Sequence, residues 1–221
     1  MNFIVLSSSK GTTFQAILDR IADGTLTAQC IGLISDREDR GCIEKAKAAR
    51  LPYLVVEKKS EESREEYDKL LQKAILGIAK KSQIPNPKSQ TRSKTKNQKQ
   101  ETKNLLIACI GWMHILSPWF IAKWRNHILN VHPALLPQYG GEGMYGHRVH
   151  ETVLRAGEKE SGMTIHCMDA QVDTGQILLQ KHCPVLPGDT VETLKARVQE
   201  LEKEWYPKLL QMIHTGAMGL P

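Results

Sequence analysis

Short apolar runs rich in β-branched residues or leucine recur along the chain at Phe3 to Leu6, Cys30 to Ile34, Tyr53 to Val56, Leu105 to Ile110 and Ile128 to Val131. Between them lie segments whose apolar residues fall at helical spacing, such as Phe14, Ile17, Leu18 and Ile21, then Tyr67, Leu70, Leu71, Ala74 and Ile75. Strands alternating with amphipathic helices predict an α/β fold: a mostly parallel sheet with helices on both faces. In such sheets ligands collect beyond the carboxyl ends of the strands. After Gly162 the pattern changes. Met163 to Met168 and Gln176 to Val185 predict a C-terminal strand pair joined by the turn-forming Asp173-Thr174-Gly175. Thr190 to Ile213 then reads as a long closing helix packed back on the sheet.

The stretch from Lys80 to Asn104 breaks this rhythm. It is polar, contains two prolines, and has Ile84 as its one large apolar residue. Such a segment buries too little to offset its ordering entropy and is expected to be a disordered basic insertion within a single domain spanning residues 1–221. It also explains the charge. Of the net +6, the insertion supplies eight Lys or Arg against Glu101, leaving 22 basic and 23 acidic residues in the rest of the chain. The basic pI therefore argues little for nucleic acid, and the tract has no aromatic side chain on which a base would stack.

At 221 residues and 41% hydrophobic content, a sizeable core is available. The N-terminus lacks the basic and apolar regions of a signal peptide, and no apolar run approaches the roughly 18 residues needed to cross a bilayer, so a cytoplasmic protein is expected. Cys30, Cys42, Cys109, Cys167 and Cys183 are odd in number and widely spaced, which fits small buried hydrophobes better than a disulfide or zinc framework.

Chemistry concentrates behind the fifth run, in Asn130-Val131-His132-Pro133-Ala134-Leu135-Leu136-Pro137. Asn130 and His132 are two apart on an extended segment, so both side chains point to one side. Pro133 and Pro137 stiffen the exit. Asn130 can donate to a carbonyl oxygen turning into an oxyanion, His132 can exchange protons near neutrality, and Asp173 can orient the imidazole and raise its pKa. At the first strand-to-helix turn, Ser7-Ser8-Ser9-Lys10-Gly11-Thr12-Thr13 has small residues and hydroxyls suited to a phosphate at a helix N-terminus, against the plainer reading of a tight turn with a Thr cap.

Other motifs carry less. Gly141 to Gly146 spells G-x-G-x-x-G but does not follow a strand, so it reads as a glycine loop and not as a dinucleotide fingerprint. His147 and His150 would suit a metal if helical, yet no second ligand pair matches them, and no metal is expected. Asp173-Thr174-Gly175 resembles an aspartic-protease triplet, but that chemistry needs two copies and the chain has one.

Taken together, the Asn130–Pro137 signature, the downstream Asp173 and the Ser7–Thr13 turn resemble the folate-dependent formyltransferases, whose domain is a Rossmann-like sheet. The likeness spans nearly the whole chain except the basic insertion and the extra glycines before His147. Within the superfamily it is most similar to the enzymes that formylate glycinamide ribonucleotide in purine synthesis, since relatives acting on tRNA or hydrolysing formylfolate carry a further domain. The resemblance implies 10-formyltetrahydrofolate as co-substrate and direct attack by the acceptor amine. It implies Asn130, His132 and Asp173 as catalytic residues, and Gly11, Thr12, Thr13, Gln199 and Glu202 as nucleotide contacts. Folate would meet Arg64, Met113, His114, Ile115, Leu116, Asn130 and the loop Asp169, Ala170, Gln171, Val172, Asp173. Small molecules are the expected partners of a monomer or weak homodimer. The alternatives are an amino sugar nucleotide as acceptor, or an α/β module that binds nucleotide or RNA through its basic insertion.

Overall fold

The computed structural model describes residues 1–82 and 105–221; the expected insertion therefore lies outside the described residues, apart from Lys80, Lys81 and Ser82, which are helical. Among the described residues, seven strands form one sheet: β1 (Asn2–Ser7), β2 (Gln29–Ser35), β3 (Tyr53–Val55), β4 (Leu105–Cys109), β5 (Ile128–His132), β6 (Glu160–Cys167) and β7 (Ile177–Pro184). Their order is β3-β2-β1-β4-β5-β6-β7. The first five are mutually parallel, while β6 runs antiparallel to both β5 and β7. The chain leaves β1 toward β2 and later returns to β4 on the other side. The crevice between the carboxyl ends of β1 and β4 is thus the topological switch point.

The helices are α1 (Thr12–Ala22), α2 (Gly41–Ala48), α3 (Arg64–Ser82), α4 (Pro118–Lys123), α5 (His147–Arg155) and α6 (Val191–Thr215). Each central strand feeds two cores by alternation. Phe3 and Val5 face the core of α1, α2, α5 and α6, whereas Ile4 and Leu6 face that of α3 and α4. This double burial is why the strands read as unbroken apolar runs. All five cysteines are free and buried in these cores. The strands and the closing helix match the sequence expectation to within a few residues, with β6 starting earlier, at Glu160. Among the described residues, no helix is long and apolar enough to cross a membrane.

On the α3/α4 side, no helix among the described residues covers β6 and β7. The segment after β5 folds back over them instead, pinned by one hydroxyl. Thr164 Oγ donates to the Ala134 carbonyl at 2.7 Å and accepts from the Leu136 amide at 3.0 Å, while Gln180 Nε2 reaches the Leu136 carbonyl at 2.9 Å. The Leu136-Pro137 peptide is cis.

Helix α6 begins with a reciprocal capping box between Thr190 and Thr193. Thr190→Ala is expected to destabilise the fold by about 1 kcal/mol, read as a lower midpoint in urea unfolding; an unchanged midpoint would show that tertiary packing alone sets this end.

Candidate active site

Strand pairing assembles the centre of the site. Asn130 lies opposite His166 and His132 opposite Thr164 across the β5–β6 ladder, so all four side chains share one face. Leu129, Val131, Met163, Ile165 and Cys167 turn to the other core. The loop between β6 and β7 then returns Asp173 to this polar face. Asp173 has φ 59°, a left-handed conformation that Asp tolerates better than most residues. Its own loop is shaped by Asp169, whose Oδ1 accepts from the Gln171 amide and the Thr174 hydroxyl. At Gly175 a Cβ would fall 1.7 Å from the Cys167 carbonyl oxygen, so only glycine lets the loop close this tightly on β6.

The Asp173 carboxylate bridges two imidazoles. Oδ2 is 3.4 Å from His132 Nδ1, and Oδ1 is 3.5 Å from His166 Nε2. Oδ2 also accepts from the Gly141 amide at 3.1 Å. Asn130 Nδ2 is 3.1 Å from His166 Nε2, and the Tyr139 carbonyl is 2.7 Å from His132 Nε2. A cavity of about 410 Å³ lies beside this cluster, lined by Leu136, Pro137, Gly140, Gly141, Val172–Gly175 and Ile177. A wider hollow of about 680 Å³ is lined by Lys59, Ser60, Glu61, Glu62 and Glu66 and contains neither the asparagine nor the histidines of the cluster.

Burial, the largest influence, sets the net direction and pushes the His132 pKa below its ordinary value; Asp173 pulls it upward, as expected, but does not reverse that shift. Asp173 shows the opposite balance. Burial would raise its pKa, but the hydrogen bond from His166, the His132 charge and the Gly141 amide hold it below the ordinary value. The carboxylate therefore stays charged while the neighbouring imidazole is kept mostly neutral.

The phosphate-type turn is present in a changed form. Gly11, not a threonine, is the N-cap of α1, with φ 76° and no side-chain cap bond. A Cβ there would lie 2.8 Å from Cys42 Cα. The first-turn N–H groups therefore remain open, the condition for holding an anion. Thr12 is exposed, whereas Thr13 is buried and donates to Glu202 Oε2 at 2.9 Å, joining α1 to α6. Gln199 sits one turn before Glu202, half-buried. Burial pushes the Glu202 carboxyl up to about 7.

The expected folate contacts fall beside the switch point. The loop after β4 is tied to the first turn, with Ser8 N donating to the Gly111 carbonyl at 3.0 Å and Met113 N to Ser8 Oγ at 3.3 Å. Met113 and Ile115 are exposed, and Leu116 is buried. His114 is 3.4 Å from Asp36 Oδ2 and rests against the Tyr67 and Trp112 rings. Arg64 opens α3, exposed, and that helix docks on the loop through Asp68 Oδ2, which accepts from the Ser117 amide at 2.5 Å. Asp36 is also forked by Arg40, and although burial opposes it, the His114 and Arg40 contacts hold its carboxyl well below the usual range.

Sequence reasoning missed His166, Tyr139 and Asp36. A signal existed for the first: Thr164 and His166 alternate with Met163, Ile165 and Cys167, which marks a polar face inside an otherwise buried strand. The glycine loop, left without a role, reaches Asp173 through Gly141. His147 and His150 are on a helix, α5, but among the described residues no group of three ligands is placed to hold a metal.

Residues 1–210 match the family model described as formyl transferase. The chain is 34% identical over 217 residues to a trifunctional purine biosynthetic protein adenosine-3 of Drosophila pseudoobscura pseudoobscura, covering 97% of this chain and 14% of that protein. It spans only 14–18% of the length of the first five such relatives. It is 30% identical to a phosphoribosylglycinamide formyltransferase of Haemophilus influenzae, covering 98% of this chain and 88% of the relative. The crystal structure of glycinamide ribonucleotide transformylase 1 from Symbiobacterium toebii superposes with a TM-score of 0.82 at 29% identity, covering 100% of this chain and 91% of that one.

His150 is buried, with its Nδ1 unpartnered, and burial pushes its pKa from 6.5 down to about 4. A lowered folded pKa means the unfolded chain takes the proton first, so stability is intact above pH 6.5 and is lost as pH falls toward 4. His150→Gln should flatten the stability profile between those values in urea titrations at several pH values; a slope equal to wild type would locate the acid sensitivity elsewhere.

Proposed function

This chain belongs to the formyl transferase family, and from that membership we propose that it is a phosphoribosylglycinamide formyltransferase, moving the formyl group of 10-formyltetrahydrofolate to the amine of 5'-phosphoribosylglycinamide. The observation that carries the reading is the Asp173 carboxylate shared by His132 and His166 at 3.4 and 3.5 Å, with Asn130 Nδ2 3.1 Å from the same His166 nitrogen beside a cavity. Two relatives covered nearly end to end bear that enzyme name. The chain acts as one formyltransferase unit with small molecules as its partners.

In the proposed reaction the acceptor amine attacks the formyl carbon directly, and the carbonyl oxygen takes negative charge in a tetrahedral adduct. Asn130 stabilises that oxygen by hydrogen bonding in a site from which much water is excluded, and His132 beside it takes part in the proton exchange. The amine then gives up a proton, the bond from carbon to the folate nitrogen breaks, and that nitrogen receives a proton. Asp173 stabilises the imidazolium whenever His132 holds the proton. All five cysteines are buried in the two cores, so none is offered as a nucleophile.

Gly11, Thr12 and Thr13 would hold the nucleotide's phosphate on the open first turn of α1, with Gln199 and Glu202 at its other end. The folate would lie along Met113 to Leu116 between Arg64 and the Asp169–Asp173 loop. The flat faces of its polar heterocycle suit the exposed Met113 and Ile115 side chains, which leave its edges free for hydrogen bonds.

Mixing the purified protein with glycinamide ribonucleotide and 10-formyltetrahydrofolate should release tetrahydrofolate, followed by absorbance. Turnover only with an amino sugar nucleotide would overturn the acceptor, and no turnover with any amine would overturn the reaction. His132→Ala and Asp173→Asn should each cut kcat by about a hundredfold or more with nucleotide affinity largely kept; near wild-type turnover in both would remove these roles.

A further inference from the structure

We propose that Tyr139, anchored by Glu158, is a positioning residue that fixes which nitrogen of His132 carries its permanent proton. The inference rests on the formyl-transfer reading for its catalytic meaning, although its physical content is separate. Tyr139 has φ 56°, a left-handed conformation unusual for an aromatic residue, so something must hold it there. Its phenol donates to Glu158 Oε1 at 2.5 Å, in the turn that follows α5. Held this way, its carbonyl oxygen lies 2.7 Å from His132 Nε2. A carbonyl only accepts, so His132 Nε2 carries a hydrogen and donates it.

The next residues complete the arrangement. Gly141 donates to Asp173 Oδ2, and a Cβ at Gly140 would fall 2.5 Å from Leu136 Cδ2 and 3.2 Å from Asp173 Cβ. One short segment therefore touches both His132 and Asp173. With Nε2 committed to Tyr139, the nitrogen left to gain or lose a proton is Nδ1, which faces Asp173. Two acceptors now flank the ring, and the Tyr139 carbonyl, like Asp173, favours its protonated form against burial. The titratable groups around His132 are Asp173 from the β6–β7 loop, His166 on β6 and His150 on α5. Glu158 acts one step removed, through Tyr139.

Tyr139→Phe removes only the hydroxyl, and Glu158→Gln is the second variant should the first fold poorly. Nitrogen-15 NMR of the ring should show neutral His132 as the Nε2–H tautomer in the wild-type protein, with the Nδ1–H form rising in either variant. The acid limb of the kcat profile should move to lower pH, with kcat falling up to about tenfold and both KM values unchanged. An Nδ1–H tautomer in the wild-type protein, or variants that leave both tautomer and pH profile in place, would overturn the proposal. The NMR result does not depend on turnover, so a failed assay of formyl transfer would leave it standing.

Discussion

Everything at the polar face of this sheet depends on one carboxylate kept charged out of water. Asp173 is nearly enclosed, and an isolated carboxylate in such a place would take up a proton instead. It stays ionised because two imidazoles and a backbone amide from three segments converge on it. Those segments are β5, β6 and the glycine loop. The carboxylate thus acts as a structural tie, and its neighbours inherit its constraints: each must face it from a fixed direction, and each loses water in doing so.

The same enclosure explains why the histidines behave unlike surface ones. His132 is attracted to a negative partner yet remains below its ordinary pKa, because losing hydration outweighs that attraction. A base that is neutral at rest and has a charge-stabilising acceptor at hand is well matched to proton exchange near neutrality. The lid that produces the enclosure is irregular backbone, not helix. It keeps its polar groups satisfied through Thr164 and Gln180, which meets the requirement that buried amides and carbonyls find partners.

Much of this was legible in the sequence, and the reasons differ by element. The strands were visible because apolar runs buried on both faces leave no ambiguity of phase, and the closing helix because Thr190 marks its start. Asn130, His132 and Asp173 stood out through chemistry and motif. His166 did not, since a histidine within a strand reads as filler until the β5–β6 register sets it across from Asn130. Tyr139 was invisible for a deeper reason: it acts through its main chain, and a carbonyl has no letter in a sequence. The upward pull of Asp173 on His132 was foreseeable, but the net direction was not, because burial depth is a tertiary property and the Asn130–Pro137 segment does not announce that it folds back over β6.

The left-handed backbone at Asp173 has a consequence for how the position can vary. β-Branched residues are strongly disfavoured there by torsional sterics before any question of charge arises, while Asn and Gly fit the shape without the acid. The alphabet open to drift is therefore small for two unrelated reasons. Tolerance measured at this codon would mix conformational filtering with selection on proton chemistry, and comparison of Asn with the resident Asp isolates the second.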